Sequence, residues 1–285
     1  MNSDNNIFTV ILSCPDRIGL VAKISQFFYQ REMNITDLDE HVDKENKMFF
    51  IRLEIDRSGA KNKNFKKDFD NLALSVNANW TMKKNSEKVK LAVFVSKQVH
   101  CLHEILWLTK IGELNADIKV IISNHEDLRK IAEEYEIPFY HLAVNEQNKI
   151  EQENAQLRIL KDNKVEGIVL ARYMQILSSK FVKKFENKII NIHHSFLPAF
   201  KGADPYRKAF ERGVKLIGAT SHFVTESLDD GPIIEQEVTR ITHKDSLFSL
   251  KRKGKDLERK VLARAVYLFA ENKILSYENK TIIFD

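Results

Sequence analysis

Short apolar runs alternate with turn-forming and helix-forming stretches along this chain, and the pattern changes character once. The run from Ile7 to Ser13 predicts a strand. The turn residues of CPDRIG follow, and then Leu20, Ile24, Phe27 and Phe28 recur at helical spacing. Ile35–Val42 and Met48–Ile55 read as two more strands. In the second, Phe49, Ile51, Leu53 and Ile55 alternate with Phe50, Arg52 and Glu54, which predicts one buried and one wet face. A lysine-rich helical stretch over Phe65–Leu74 and a short strand at Trp80–Met82 complete a ferredoxin-like βαββαβ order. This arrangement is expected to occupy residues 1–84.

After the polar linker Lys83–Lys88 the apolar runs become nearly continuous: KLAVFVS, IKVIISN, PFYHLAV, GIVLARY and IINIHHS. Helical segments such as EDLRKIAEEY and SSKFVKKFENK separate them. Runs without alternation are buried on both faces, so residues 85–285 are predicted to form a Rossmann-like, mostly parallel α/β domain. LIGATSHFVT, turning at LDDGP into IIEQEVTR, predicts an antiparallel edge. A long helix from about Ser246 to Asn272, with Leu257, Val261, Ala265 and Leu268 in register, closes the core.

Composition narrows this picture only a little. A length of 285 residues suits two domains, and 43% hydrophobic, 30% charged residues with nine Gly and five Pro exclude low-complexity or collagen-like chains. Cys14 and Cys101 are too few for a disulfide framework, and no CxxC or Cys/His cluster predicts structural zinc. MNSDNNIFTV lacks the features of a signal peptide and no long uncharged apolar stretch follows, so a soluble cytoplasmic protein is expected, with no membrane partner. The net charge of +5 suits an anionic small molecule. The basic KRKGK of Lys251–Lys255 lacks interleaved aromatics and reads as a solvated helix face rather than a nucleic-acid site.

Candidate chemistry gathers at one strand end. In KIINIHHS the period of two puts Asn191 and His193 on one face, at the carboxyl end where open α/β sheets bind ligands. An amide donor beside an imidazole suits a carbonyl becoming a tetrahedral oxyanion. The carboxylate such a pair needs is offered by Asp229 or Asp230 in LDDGP, and spacing does not choose between them. His222 and His194 with an Asp form a less favoured metal alternative, because adjacent strand residues point to opposite faces. Ser195 and Cys101 lack a GxSxG elbow or a base beside them as nucleophiles.

NIHHSFLPAFKGADPYRKAFERGVKLIGATSHFVTESLDDGPIIEQ, from Asn191 to Gln236, resembles the catalytic core of the formyltetrahydrofolate-dependent formyltransferase fold. SNHEDL, IPFYHL and ARYMQILS match the same family, and CPDRIGL after the first strand resembles an ACT domain. The two together are similar to the formyltetrahydrofolate deformylases. This resemblance implies hydrolysis of 10-formyltetrahydrofolate to formate and tetrahydrofolate, supplying formate for purine synthesis and balancing one-carbon folate pools. It places the catalytic residues at Asn191, His193 and Asp229, with Asp229 orienting water and supporting a protonated His193. It nominates Tyr173, Met174, Ile176 and Leu177 for the pterin pocket, with His222 in a supporting hydrogen bond. No cofactor and no metal are expected.

The sibling that formylates glycinamide ribonucleotide has a Gly-rich phosphate loop where this chain has SKQVHCLHEIL, without glycine. Methionyl-tRNA formyltransferase carries a further C-terminal barrel, whereas this sequence ends shortly after the closing helix. Water is therefore the expected acceptor, with an amine-directed formyltransferase as the alternative. The ACT resemblance implies an amino-acid effector at Asp16, Arg17, Ile18 and Gly19, where a helix start and a glycine favour a carboxylate, and a homo-oligomer, dimer or tetramer.

Overall fold

A computed structural model describes residues 6–59, 64–198 and 205–285. The stretch 199–204 of the Asn191–Gln236 motif lies outside the described residues. The chain forms two compact units: residues 1–88 with 271–275 and 282–285, and residues 89–270 with 276–281. The expected break at residue 84 thus falls a few residues early, and two C-terminal segments expected in the second domain belong to the first unit.

In the first unit β1 (Ile7–Pro15), α1 (Leu20–Tyr29), β2 (Asn34–Asp43), β3 (Met48–Asp56), α2 (Phe65–Ser75) and β4 (Asn79–Lys84) follow the predicted order. The four strands form an antiparallel sheet in the order β2-β3-β1-β4. The apolar faces of α1 and α2 supply Leu20, Ile24, Phe28, Phe65 and Phe69 to the core over Val10, Leu12, Leu53 and Ile55. The face of β3 expected to be wet is buried instead: Phe50 is 0% and Arg52 2% exposed. Phe50 is stacked on His41 of β2, and Arg52 finds a partner far along the sequence, its Nε donating to the carbonyl of Asn272 at 3.2 Å. The Arg52 charge is met by Asp37 at 2.9 Å and Glu54 at 2.5 Å.

The second unit contains β5 (Val89–Val95), α3 (His100–Ile111), β6 (Ala116–Ser123), α4 (Arg129–Glu134), β7 (Phe139–His141), α5 (Lys149–Asp162) and β8 (Gly167–Ala171). It continues through α6 (Ser179–Lys184), β9 (Ile189–His193), α7 (Pro205–Arg212), β10 (Leu216–Phe223), β11 (Ile233–Arg240) and α8 (Leu247–Ala270). Its sheet has the order β11-β10-β9-β8-β5-β6-β7. From β9 to β7 all neighbours are parallel, while β9 with β10 and β10 with β11 are antiparallel. The predicted antiparallel pair is present, with β11 as the edge and β10 interior. A hairpin of β12 (Ile274–Tyr277) and β13 (Lys280–Ile283) follows α8.

Helix α8 packs on β9, β10 and β11 and comes close to α7 at Gly254, where an added Cβ would lie 2.2 Å from the Tyr206 ring. No helix among the described residues is long and apolar enough to cross a membrane. Replacing Arg52 by Met strips two carboxylates of their cation and should lower the unfolding free energy by about 2 kcal/mol, read by chemical denaturation. An unchanged midpoint and slope would mean that Arg52 does not help hold β3 in place.

Candidate active site

Residues directly opposite in an antiparallel pair project to the same face. The register of β9 on β10 pairs Asn191 with His222 and His193 with Thr220, so these four side chains share one face. His222 is 2% exposed. With Nδ1–H of His222 donating to the Phe223 carbonyl at 2.9 Å, its Nε2 lone pair receives the Asn191 amide at 3.2 Å. The second N–H of Asn191 is left for another acceptor.

Beyond β10 the backbone N–H of Phe223 donates to the Pro232 carbonyl at 2.9 Å, closing the loop 224–231 at its base. Only glycine fits at Gly231, because a Cβ there would lie 1.9 Å from the Phe223 carbonyl oxygen. Within this loop Asp229 has φ 52°, a left-handed conformation that Asp adopts more readily than most residues. Its Oδ2 lies 3.2 Å from His193 Nδ1 and its Oδ1 3.6 Å from His222 Nε2. Burial alone would raise the Asp229 carboxyl, but the hydrogen bond from His193 outweighs that and holds it well below the usual carboxylate range. Asp229 is therefore ionised at neutral pH.

An ionised Asp229 accepts the Nδ1–H of His193, which leaves the lone pair on Nε2. That nitrogen is buried and has no hydrogen-bond partner among the described residues. His193 lines a cavity of 260 Å³ with Asn191, His222, Asp229 and Met174, Ile176 and Leu177 of the loop after β8. Met174, Ile176 and Leu228 are 62%, 60% and 59% exposed around it, an apolar rim of the kind that receives a flat ligand. A free amide N–H, a poised imidazole nitrogen and an orienting carboxylate together suit attack on a carbonyl.

The profile of the family described as Formyl transferase matches residues 89–266, and that of the ACT domain matches residues 8–62. Formyltetrahydrofolate deformylase of Synechocystis sp. is 48% identical over 97% of this chain and 98% of its own length. The enzyme of that name from Bacillus subtilis is 47% identical over 97% of this chain and 93% of its own. The crystal structure of a formyltetrahydrofolate deformylase from Pseudomonas syringae pv. tomato superposes with a TM-score of 0.96 at 40% identity, covering 98% and 94% of the two chains. The chain belongs to the formyltetrahydrofolate deformylase family.

In this member of the deformylase family the loop after β8 is tethered from two sides. Arg172 and Met174 have φ of 65° and 59°, costly for residues with a Cβ. Tyr173 between them sends its side chain into the core, its ring 5.2 Å from that of Phe94 and its hydroxyl accepting from Gln156 Nε2 at 2.8 Å. Burial pushes the Tyr173 hydroxyl up to about 12. At the far end Ser178 donates its N–H to Glu153 at 2.8 Å, and its hydroxyl binds the same carboxylate. All four loop residues nominated from the sequence, Tyr173, Met174, Ile176 and Leu177, line the cavity beside Asn191 and His193, and Tyr173, 2% exposed, also anchors the loop in the core.

Several lining residues escaped the sequence reading. Arg172 follows directly on the buried strand β8, and a cation at the carboxyl end of such a strand was the available signal. Gln175 and the stretch Val224–Ser227 also line the cavity, and nothing in their spacing marks them. His194 lies at the wall, where burial, with help from Arg172, pushes it down to about 3, so it is neutral. Asp16, Arg17, Ile18 and Gly19 form the exposed loop before α1 in the other unit. There the N–H of Asp16 donates to the Lys47 carbonyl, Arg17 reaches the Ser75 carbonyl at 2.7 Å, and Gly19 has φ 88°.

Among the described residues one group of metal-capable side chains lies together: His100, Cys101 and Glu258. Glu258 accepts from Tyr206 at 2.6 Å, meets His100 at 2.9 Å and faces the Arg172 guanidinium at 3.5 Å, while burial pushes the Cys101 thiol well up. The carboxylate is thus already paired and the thiol keeps its proton, a poor donor set for a cation.

Tyr173→Phe leaves the Gln156 amide without its acceptor and should cost about 1 kcal/mol of stability while the KM for folate stays within about twofold. A large rise in KM with unchanged stability would give Tyr173 a ligand contact instead. The depressed Asp229 contributes stability above the unfolded carboxyl pKa of about 3.9 and loses it as pH falls through its lower folded value. The stability gap between wild type and Asp229→Asn should accordingly be open at pH 6 and close below about pH 4 in acid-titrated melts.

Proposed function

We propose that this protein hydrolyses the formyl amide of 10-formyltetrahydrofolate, giving formate and tetrahydrofolate. The observation that carries the reading is the buried, unpartnered Nε2 of His193, backed through Nδ1 by ionised Asp229 and flanked by the Asn191 amide. The names of the relatives and a glycine-free segment from Ser96 to Leu106 support water over an amine as acceptor.

In the proposed sequence the pterin lies against Met174, Ile176 and Leu177, and the formyl oxygen accepts the free N–H of Asn191. The oxygen of a water attacks the formyl carbon while one water proton moves to His193 Nε2. Asp229 stabilises the imidazolium, and Asn191 stabilises the negative oxygen of the tetrahedral intermediate. His193 then returns the proton to the leaving nitrogen, the C–N bond breaks, and the carbon departs as formic acid, which ionises. His222 has a positioning role: it fixes the Asn191 amide from behind.

The ACT-like unit supports a finer reading as an oligomerisation and effector module, with an amino-acid carboxylate on the Asp16–Gly19 backbone, and the bacterial relatives support residence in the cytoplasm. Purified protein with chelator and no acceptor should release formate and tetrahydrofolate one for one. Asp229→Asn should lower kcat by about a thousandfold and leave folate binding nearly intact. Turnover that starts only when an amine is added would make the protein a transferase.

A further inference from the structure

A second cavity, of 540 Å³, shares Arg172, Met174 and His194 with the first. Its other walls include His100, Tyr206 and Glu258 and, from one turn of α8, Lys251, Arg252 and Lys255. Four permanent cations thus face one carboxylate, and that carboxylate is already engaged by His100, Tyr206 and Arg172. Elsewhere on the same helix the basic side chains have acidic partners: Lys253 with Asp245, Arg259 with Asp256 and Lys260 with Glu237. Lys251, Arg252 and Lys255 have none among the described residues. Arg172 Nη1 is buried at the shared wall without a hydrogen-bond partner among the described residues.

Hydrolysis makes an anion behind the bound folate. While tetrahydrofolate fills the first cavity, its mouth is blocked to a carboxylate formed against His193. We propose that the second cavity is an exit site for formate, which Arg172 receives across the shared wall and Lys251, Arg252 and Lys255 draw outward. This inference rests on the hydrolase reading above. The cavity is far wider than a one-carbon ion, so formate shares it with water, and the attacking water reaches the formyl carbon by the same route. Formate and folate therefore occupy different places at the same time.

The test is a titration of ¹³C-formate against the full-length protein saturated with tetrahydrofolate, followed by NMR. It is paired with formate inhibition of turnover. The expected results are binding in the presence of tetrahydrofolate, inhibition noncompetitive with the folate substrate, and at least about tenfold weaker binding and inhibition in the triple variant Lys251→Gln, Arg252→Gln, Lys255→Gln. All three side chains are exposed, and a melting curve reports whether the variant is folded. Formate binding that the triple variant leaves unchanged, that chloride at equal ionic strength abolishes, or that tetrahydrofolate excludes overturns the exit site. Failure of the hydrolase reading is seen separately, as absence of formate release by the wild type, and it removes the product role.

Discussion

The antiparallel register of β10 on β9 is the constraint on which the candidate site depends. It sets Asn191 against His222 and His193 against Thr220, and it starts the loop that carries Asp229 back to both histidines. A shift of β10 by one residue would set Ser221 or Phe223 opposite Asn191 in place of His222, because side chains alternate between faces. Two buried rows keep that register: apolar Ile190 and Ile192 on β9, and Ala219 and Phe223 on β10. The tight base of the 224–231 loop, closed at Phe223 and Pro232 and open only to glycine at Gly231, then fixes where the carboxylate arrives.

A second tier of contacts holds what the register does not reach. The loop after β8 accepts two left-handed residues because Tyr173 and Ser178 fasten it to Gln156 and Glu153 of α5. Glu258 links α8 to Tyr206 of α7, His100 of α3 and Arg172 at the end of β8. Each anchor is a polar group buried with its partners, an arrangement that tolerates little change because any one deletion strands the rest. Rigidity at this site is bought with buried polarity rather than with extra hydrocarbon.

The sequence made the strands and their order legible, because continuous apolar runs in the second unit and alternating ones in the first carry distinct periods. Asn191 and His193 were legible for the same reason, since a period of two puts them together. The choice of Asp229 over Asp230 was not, because it depends on how a loop folds back, and only the resemblance separated them. Helix α5 was invisible as an amphipathic element since its buried positions include Glu153 and Gln156. The buried outer face of β3 was misread in part because one partner of Arg52, the Asn272 carbonyl, lies more than two hundred positions away.

That last feature has a bearing on how the chain is made. The first unit takes in residues 271–275 and 282–285, so the module translated first is finished last. Until Asn272 leaves the ribosome, the Arg52 guanidinium lacks one of its acceptors. Residues 89–270 of the second unit are synthesised in that interval. A nascent chain stalled before residue 271 would therefore display an incomplete first module, visible to proteases and chaperones that ignore the finished protein.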